Sequence, residues 1–474
     1  MSKRKEKIMP FFKFLAIAMA IITIITLCLF KFIDILPGEY FLVLCVLLIL
    51  FDIIFSCLIL TRKGVKKRAV GTVLSILYII LLVLIIIYEL NTIGFLKKLG
   101  FVDYKTENYS VLVLKDSPYE EIEDLDGLVV GSLEFNSDGL NDAKDKLEAV
   151  ITPKFETTDD ITTLKKSFLE DEYDGILIEN AMLAMINESD EDFNDEYRII
   201  YDFSIDVKTE DITKEVDITE DPFSIYISGI DTYGRVSSVS RSDVNMIITV
   251  NPKTHKILIT SIPRDYYVTL AGKNAKDKLT HAGIYGIETS VATLEDLLDI
   301  PINYYVKVNF TSLIDIVDAL GGVNVYSKYS FTSKDGYYYN QGYNNVDGKK
   351  ALSFVRERKA FSEGDRTRVE NQAAMIEALI NKAISPSIIM NYTSLLNALN
   401  DSFITNLDTN SITEFIKMQI DKMPSWEIEN ISLNGTDGSD YTYSYGGTKL
   451  YVMYPDNETV INAQNKINAL LKEE

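Results

Sequence analysis

Three long apolar runs stand near the start of the chain and predict helices that cross a membrane. Residues 14–30 and 69–88 are uncharged, and residues 40–60 contain the single charge of Asp52. Each run is close to the ~20 residues that a helix needs to span the hydrocarbon core. Three runs in series, without a small-residue cleavage site, favour helices that stay in the membrane over a signal peptide. We therefore predict a membrane anchor over residues 1–95.

Residues 105–205 show the pattern of a small α/β domain, which we call the accessory domain. Short apolar runs predict buried strands, and apolar residues at helical spacing predict helices between them. Residues 206–222 are rich in Asp, Glu, Thr and Lys and poor in large apolar side chains, which is typical of a linker. The predicted strands are 110–114, 128–133 and 174–178, and the predicted helices are 138–150 and 160–170.

The last domain, residues 223–474, alternates strand patterns with helix patterns. This order predicts an α/β sandwich around a mixed central sheet, so the fold class of the chain beyond the membrane anchor is α/β. The predicted strands are 223–229, 244–250, 256–262 and 302–309, and the predicted helices are 293–298, 311–320, 349–358 and 365–384.

Charge predicts the orientation of the anchor and restricts the function. Residues 1–99 carry 13 basic and 5 acidic side chains, whereas the whole chain has a formal net charge of −22. By the positive-inside rule the basic segments face the cytoplasm, so we predict a multi-pass membrane protein whose chain from about Asn91 onward is extracellular. An exported part this acidic is a poor partner for nucleic acid. The basic residues that decide the orientation are Lys3, Arg4, Lys5, Lys7, Arg62, Lys63, Lys66, Lys67 and Arg68.

Several chemistries are excluded by the residues that the exported part lacks. Cys28, Cys45 and Cys57 all fall in the predicted spans, so we expect no disulfide, thiol catalysis or cysteine-bound metal outside the membrane. The sequence also has no P-loop, dinucleotide-binding glycine loop, zinc His-Glu motif or nucleophile elbow, which leaves those reactions unsupported.

Arginine is the most informative residue type in the last domain. The chain has 11 Arg against 36 Lys, and six of the arginines lie in four short segments, each with an acidic neighbour. Arg is preferred over Lys where a planar fork holds phosphate or carboxylate through two hydrogen bonds. The alternative is a surface ion-pair network, but exposed pairs contribute only ~0–1 kcal/mol each, which gives no reason to reserve Arg for them. The pattern therefore predicts an oxyanion site formed by Arg241, Arg264, Arg356, Arg358, Arg366 and Arg368.

Two carboxylates fit the same site. Asp231 and Asp243 each lie at the edge of a predicted strand, where ligands bind in open α/β sheets. Two hard oxygen donors beside phosphate suit Mg²⁺, which uses one or two carboxylates together with waters and substrate oxygens. The alternative for Asp231 is an ordinary turn residue.

A series of short segments in residues 223–384 forms a recognisable pattern. They are 229–231, 241–243, 261–265, 278–282, 321–323, 347–358 and 364–365, followed by Arg368 and Gln372. Each segment is short, and the signal comes from all of them occurring in order, which makes residues 223–384 resemble the LytR-CpsA-Psr family. The three predicted spans and the accessory domain resemble the capsule-associated CpsA branch. Two positions depart from the family pattern, with Asn371 in place of an Arg and Asn324 in place of an Asp.

The resemblance implies a phosphotransferase that moves a teichoic acid or capsular polysaccharide from undecaprenyl pyrophosphate onto peptidoglycan. It implies Asp231 and Asp243 as ligands of Mg²⁺. It also implies that Asp365 orients the arginines and that Gln372 completes the set of side chains around them. The polyprenyl tail is expected in an apolar tunnel of the last domain. The implied pyrophosphate-binding residues are Arg264, Lys278, Arg356, Arg358 and Arg368, to which we add Arg241 from the arginine pattern.

Some alternatives stay open at this point. A hydrolase that only cleaves the pyrophosphate needs the same cations, whereas a membrane sensor or transcriptional regulator needs a cytoplasmic output domain, for which the predicted topology leaves little chain. Asp231 is our preferred catalytic base, and His281 is either a second candidate or a structural residue. Tyr337, Tyr338, Tyr339 and Tyr343 either stack on sugar or form the aromatic edge of a hairpin.

Overall fold

A computed structural model describes residues 9–61, 64–96, 103–134, 138–232, 236–362, 364–385 and 402–473. The chain divides into two compact units. The first unit contains residues 1–99, 392–400 and 408–425, and the second contains residues 100–391, 401–407 and 426–474. Six of the basic residues used to predict the orientation lie outside the described residues; they are Lys3, Arg4, Lys5, Lys7, Arg62 and Lys63.

The first unit contains the three predicted membrane helices. They are α1 (Met9–Ile33), α2 (Gly38–Leu60) and α3 (Val65–Leu96), and each is long and apolar enough to cross a bilayer. Most of their large apolar side chains are exposed, as expected for helices that are solvated by lipid. Three apolar helices of this kind confirm that the protein is anchored in a membrane.

A five-stranded sheet with helices forms the first part of the second unit. Its strand order is β3-β2-β4-β1-β5, with β1 antiparallel to both neighbours and β2 parallel to β3 and β4. The strands are β1 (Tyr104–Leu114), β2 (Val129–Leu133), β3 (Lys154–Thr158), β4 (Gly175–Glu179) and β5 (Tyr197–Lys208). The helices are α4 (Asp138–Glu148), α5 (Ile161–Leu169) and α6 (Asn180–Ser189).

A buried glutamate in this sheet makes stability depend on pH. Burial, and to a smaller extent the charge of Glu107, raises the pKa of Glu179 to about 8. Its Oε1 has no hydrogen-bond partner among the described residues. The folded-state pKa of Glu179 lies above the ordinary value of 4.5, so folding favours the protonated carboxyl group. The contribution of protonated Glu179 to the stability of the folded protein is therefore fully present below pH 4.5 and is lost as the pH rises towards about 8.

We therefore expect Glu179→Gln to stabilise the protein at pH 8 by on the order of 2 kcal/mol and to have little effect at pH 4. Thermal unfolding of the full chain at several pH values measures this difference. Glu172→Gln, at an exposed position of the same domain, is the matched control. An equal effect of Glu179→Gln at both pH values would contradict the assignment.

A six-stranded mixed sheet forms the centre of the second part of this unit. Its strand order is β16-β11-β6-β7-β8-β17, with parallel pairs β11/β6 and β17/β8 and antiparallel pairs elsewhere. The strands are β6 (Phe223–Ile230), β7 (Ser242–Asn251), β8 (Lys256–Ile262), β11 (Tyr304–Asn309), β16 (Phe403–Thr405) and β17 (Glu427–Ser432). Shorter ladders comprise β9 (Tyr267–Leu270), β10 (Ala275–Lys278), β12 (Val323–Ser327), β13 (Phe331–Thr332), β14 (Tyr338–Tyr339), β15 (Gly342–Val346), β18 (Gly435–Tyr441) and β19 (Lys449–Pro455).

Helices pack around this sheet and enclose its core. One cluster buries Tyr226 and Ile247 of the sheet against Leu294 and Ile467 of two helices. These helices are α7 (Leu279–Ala282), α8 (Ile287–Leu298), α9 (Phe310–Ala319), α10 (Gly348–Arg356), α11 (Asp365–Ala383) and α13 (Asn457–Lys472). A further helix, α12 (Thr409–Lys422), belongs to the first unit, where Lys417 Nζ lies 2.9 Å from Asp34 Oδ2.

The α/β fold class is confirmed, and each predicted strand and helix has a counterpart in the structure. Strand β5 continues to Lys208, which pairs with Tyr104, so it overlaps the first residues of the predicted linker at 206–222, and the bounds of that linker stay a prediction. Residues 105–205 and 223–474 are not resolved as two separate units, so their division into two domains stays a prediction.

Candidate anion-binding site

Two strand ends bring Asp231 and Asp243 together. Asp231 follows the last residue of β6, and Asp243 is the second residue of the antiparallel neighbour β7. The register shifts between Gly229 and Ile230, and a Cβ on Gly229 would lie only 2.7 Å from the Cβ of Val244. The small residue therefore allows the close strand approach that sets the two carboxylates at one end of the sheet.

Arg264 follows β8 and is held by carboxylates. Its Nη1 donates to Asp243 Oδ1 at 2.7 Å, and its Nε lies 3.5 Å from Asp265 Oδ2. The other oxygen of Asp265 lies 3.0 Å from Lys278 Nζ. Asp243 also accepts a hydrogen bond from Thr280 at 3.2 Å. These contacts fix Arg264 and Lys278 beside the buried Asp243.

The end of α10 and the start of α11 supply the other predicted cations. Arg356 Nη2 lies 3.9 Å from Asp231 Oδ1, and its guanidinium stacks 4.3 Å from the ring centre of Phe310. Arg368 Nη2 lies 2.5 Å from Asp365 Oδ1. The charge of Arg358 acts on Arg368 as well. The two helix ends therefore converge on Asp231.

Gln372 lies behind this group. Its Nε2 donates to the backbone oxygen of Val355 at 3.4 Å, next to Arg356. Asn371, which replaces an Arg of the family pattern, makes an equivalent bond to the oxygen of Phe354 at 3.4 Å. Both amides therefore tie α11 to the end of α10, which positions Arg356.

Arg241 completes the group through a residue of the accessory domain. It forms an ion pair with Glu188 of α6, and Arg264 Nη2 donates to the other oxygen of the same carboxylate at 3.1 Å. We call the following set the anion site: Asp231, Arg241, Asp243, Arg264, Lys278, Arg356, Arg358, Asp365 and Arg368.

The two strand-end carboxylates have opposite electrostatic surroundings. Burial, followed by the charge of Asp243, raises the pKa of Asp231, although Arg356, Arg264 and Arg368 act against this. Burial would also raise the pKa of Asp243, but the charges of Arg264 and Arg241 outweigh it and lower the pKa below its ordinary value. Asp243 is therefore held in its ionised form. An added cation would stabilise the ionised form of the neighbouring Asp231.

Two buried guanidinium donors of the anion site make no hydrogen bond within the part of the chain that the structure describes. These are Nε of Arg264, which lies 3.5 Å from Asp265 Oδ2, and Nε of Arg368. Arg368 Nη2 is ion-paired with Asp365 instead. Burial also lowers the pKa of Arg241 and of Arg368. Leaving buried donors unpaired costs roughly 1–3 kcal/mol each, and more for charged groups. An anion bound between these arginines would satisfy them.

The carboxylates suit a cation that keeps most of its waters. Among the described residues there is no group of three or more His, Cys, Asp or Glu side chains placed to hold a metal. Asp231 and Asp243 provide two hard oxygen donors, and Asp231 is 45% exposed. This is the limited donor set that Mg²⁺ accepts when substrate oxygens complete its shell.

A cavity of about 650 Å³ lies along α11, beyond its first turn. Its lining mixes apolar side chains, such as Val369 and Ile431, with amides and with the exposed rings of Tyr326 and Tyr343. The predicted apolar tunnel for a polyprenyl tail therefore stays a prediction.

Other candidate residues lie apart from the anion site. Arg366 donates to the oxygen of Gly435 and lies 3.3 Å from Asp437. His281 is buried with its Nδ1 2.6 Å from Asp277 Oδ1, which favours the structural interpretation. Tyr339 is buried in the hairpin core, while Tyr338 and Tyr343 are exposed. Sequence patterns gave no signal for Glu188 or Phe310, since both act through contacts distant in sequence.

Comparisons with known proteins identify similar chains. The model of the LytR_cpsA_psr family matches residues 196–466. A polyisoprenyl-teichoic acid–peptidoglycan teichoic acid transferase TagU of Bacillus subtilis is 40% identical over 206 residues, which are 43% of this chain and 66%, just under two thirds, of that protein. The TagU of Enterococcus faecalis is 36% identical over 230 residues, 47% of this chain and 74% of that protein. The match to a crystal structure of B. subtilis TagU covers 54% of this chain and 99% of the TagU chain, with 31% sequence identity and a TM-score of 0.43.

Proposed function

The chain belongs to the LytR-CpsA-Psr family, and from this premise we propose that it is a membrane-anchored phosphotransferase that moves a glycopolymer from a polyprenyl pyrophosphate onto peptidoglycan. Undecaprenyl is the proposed lipid, and teichoic acid or capsular polysaccharide is the proposed polymer. The relatives are named as teichoic acid transferases, which supports the reaction class.

The observation that carries the proposal is the pair of buried Nε donors, of Arg264 and Arg368, that make no hydrogen bond among the described residues and lie close to Asp231 and Asp243. A pyrophosphate has several anionic oxygens that can accept from more than one guanidinium at once. The charges of Arg264, Arg356 and Arg368, which come from separate segments, all act on Asp231, and this supports a ligand with two linked phosphates. We propose that Arg358, whose charge acts on Arg368, also contacts this ligand. We propose that Arg241 and Lys278 contribute further positive charge.

We propose Mg²⁺ as the cofactor, held by Asp231 and Asp243. When bound, it would polarise a phosphoryl oxygen and help to neutralise charge on the leaving group. Burial and, after it, the charge of Asp243 raise the pKa of Asp231, and a cation at this position would offset both effects, which supports the proposal.

In the proposed reaction, a sugar hydroxyl of the acceptor attacks the phosphorus that carries the polymer. A new P–O bond forms to the acceptor, the bond to the lipid phosphate breaks, and polyprenyl phosphate leaves with the bonding electron pair. Arg264, Arg356 and Arg368 stabilise the charge that builds on the leaving phosphate. Asp231 is our candidate to take the hydroxyl proton, because its half-exposed carboxylate is reachable while Asp243 is buried and bound to Arg264.

The proposal is tested by incubating the full-length protein in detergent with a polyprenyl-pyrophosphate glycan, a peptidoglycan acceptor and Mg²⁺. We expect polymer joined to the acceptor through a phosphodiester. Free polymer with a terminal phosphate and no attachment would instead identify a pyrophosphate hydrolase. The absence of any product, with or without metal, would contradict both.

We also propose that the anchor crosses the membrane three times and that the chain from about Asn91 onward is extracellular. The acidic character of the exported part and the basic residues of the first 99 support this orientation. Single cysteines placed at exposed positions of the anion-site domain, in a variant without Cys28, Cys45 and Cys57, should react with an impermeant thiol reagent on intact cells. Labelling only after lysis would overturn the orientation.

A further inference from the structure

Glu188 contacts two arginines of the anion site, although it belongs to α6, next to the five-stranded sheet. It is located in the last turn of α6, and its two carboxylate oxygens contact Arg241 and Arg264. A carboxylate that bridges two guanidinium groups occupies the position that suits two oxygens of a phosphate. We propose that Glu188 is a further residue of the donor-binding site, which competes with the pyrophosphate for Arg241 and Arg264 and thereby sets the affinity for the donor.

The backbone around α6 is fixed next to this site. Thr106 of β1 pairs with the segment before Arg241, since its N–H donates to the oxygen of Ser237 and its oxygen accepts from Val239. Val239 also packs in the same apolar cluster as Leu183 and Ile186 of α6. The backbone that carries Glu188 is therefore packed against the segment that precedes Arg241, so Glu188 is held close to the arginines.

Arg264 does not depend on Glu188 for its position. Its Nη1 is bonded to Asp243 at 2.7 Å, and its Nε lies 3.5 Å from Asp265. The side chains of Arg241 and Arg264 are 15% and 12% exposed, whereas that of Glu188 is 43% exposed. The carboxylate is thus more exposed than both arginines, and Arg264 is held by other contacts, which is the position of a displaceable occupant rather than of a support for Arg264.

The inference about Glu188 rests on the anion site of the proposed function, and it predicts whether anion binding becomes stronger or weaker when the charge of Glu188 is removed. If Glu188 must leave before an anion binds, removing its charge strengthens anion binding. If Glu188 instead held the arginines in place, its removal would weaken binding. The sign of the change therefore separates the two roles.

The experiment is calorimetric titration of inorganic pyrophosphate into the full-length protein in detergent with Mg²⁺, for the wild type, Glu188→Gln and Glu191→Gln. Glu191→Gln is the matched control, because it removes an exposed charge three residues away. We expect Glu188→Gln to lower the Kd about tenfold, which corresponds to roughly 1.4 kcal/mol, and the control to leave it unchanged. In transfer assays, Glu188→Gln should lower KM for the donor without raising kcat.

Two failures are distinguishable. If the wild type binds pyrophosphate and Glu188→Gln binds it equally or more weakly, the inference about Glu188 is wrong while the proposed function stands. If neither protein binds pyrophosphate, the anion site of the proposed function is wrong, and the inference falls with it.

Discussion

Arg264→Ala is expected to lower the rate of glycopolymer transfer by about 10²–10³-fold, the usual loss when one transition-state donor is removed. Arg264 is the centre of the anion site, since it contacts Asp243, Asp265 and Glu188 and carries a buried Nε with no acceptor among the described residues. Without it, the charge of the leaving lipid phosphate loses a fixed donor. The measurement is the initial rate of polymer attachment with saturating donor.

Two further variants make this result interpretable. Arg264→Lys retains the positive charge but loses the planar guanidinium group, which can donate two parallel hydrogen bonds. We therefore expect a transfer rate between those of the wild type and Arg264→Ala. Arg366→Ala removes an arginine that binds Gly435 and Asp437 away from the anion site, and transfer should be unchanged. A similar loss from Arg366→Ala and Arg264→Ala, or transfer retained by Arg264→Ala with intact folding, would contradict the assignment of the site.

Asp277→Ala is expected to destabilise the folded protein by about 3–5 kcal/mol, the cost of removing one partner from a buried charged network. Asp277 is fully buried and accepts hydrogen bonds from the backbone of Ser444 at 2.8 Å and of Lys278 at 2.7 Å. It also lies 2.6 Å from His281 Nδ1. Its loss would leave these groups unpaired next to the anion site.

Unfolding of the full chain, followed by the fluorescence of Trp426, the single tryptophan, measures this loss. Although burial acts in the opposite direction, His281 and Ser444 lower the pKa of Asp277 below its ordinary value of 3.8. Its contribution is therefore present above about pH 4 and is lost as pH falls below that value. Asp296→Ala, at an exposed position of α8, is the control. A change below 1 kcal/mol for Asp277→Ala would show that the network is replaceable by water.

The central sheet was predictable because its strands are buried on both faces. β6, β7 and β8 read as nearly continuous apolar runs, and their predicted bounds differ from the observed ones by at most two residues. By contrast, β17 and β18 alternate exposed polar residues with partly buried ones, so the hydrophobic pattern gives little signal. In addition, β17 pairs with β8, which is far away in the sequence, whereas β18 pairs with the following strand, β19.

The sequence predicted a set of site residues but not the contacts between them. The arginine grouping marked Arg241, Arg264, Arg356 and Arg368, whose charges act on the two aspartates, and Arg358, whose charge acts on Arg368. It also included Arg366, because a helix turn carries neighbouring residues to different faces and sequence adjacency does not show which face is used. The roles of these residues stay predictions until the variants above are measured.

Both edges of the six-stranded sheet come from late in the chain. β16 pairs with β11, and β17 pairs with β8, although these partners are separated by roughly a hundred residues or more. A polypeptide that has been synthesised only as far as α11 therefore presents β8 and β11 with unpaired backbone groups, which are templates for association with other chains. Completion of the chain and closure of the sheet are thus coupled, and the interval before the last strands arrive is the time at which this protein most needs protection from aggregation.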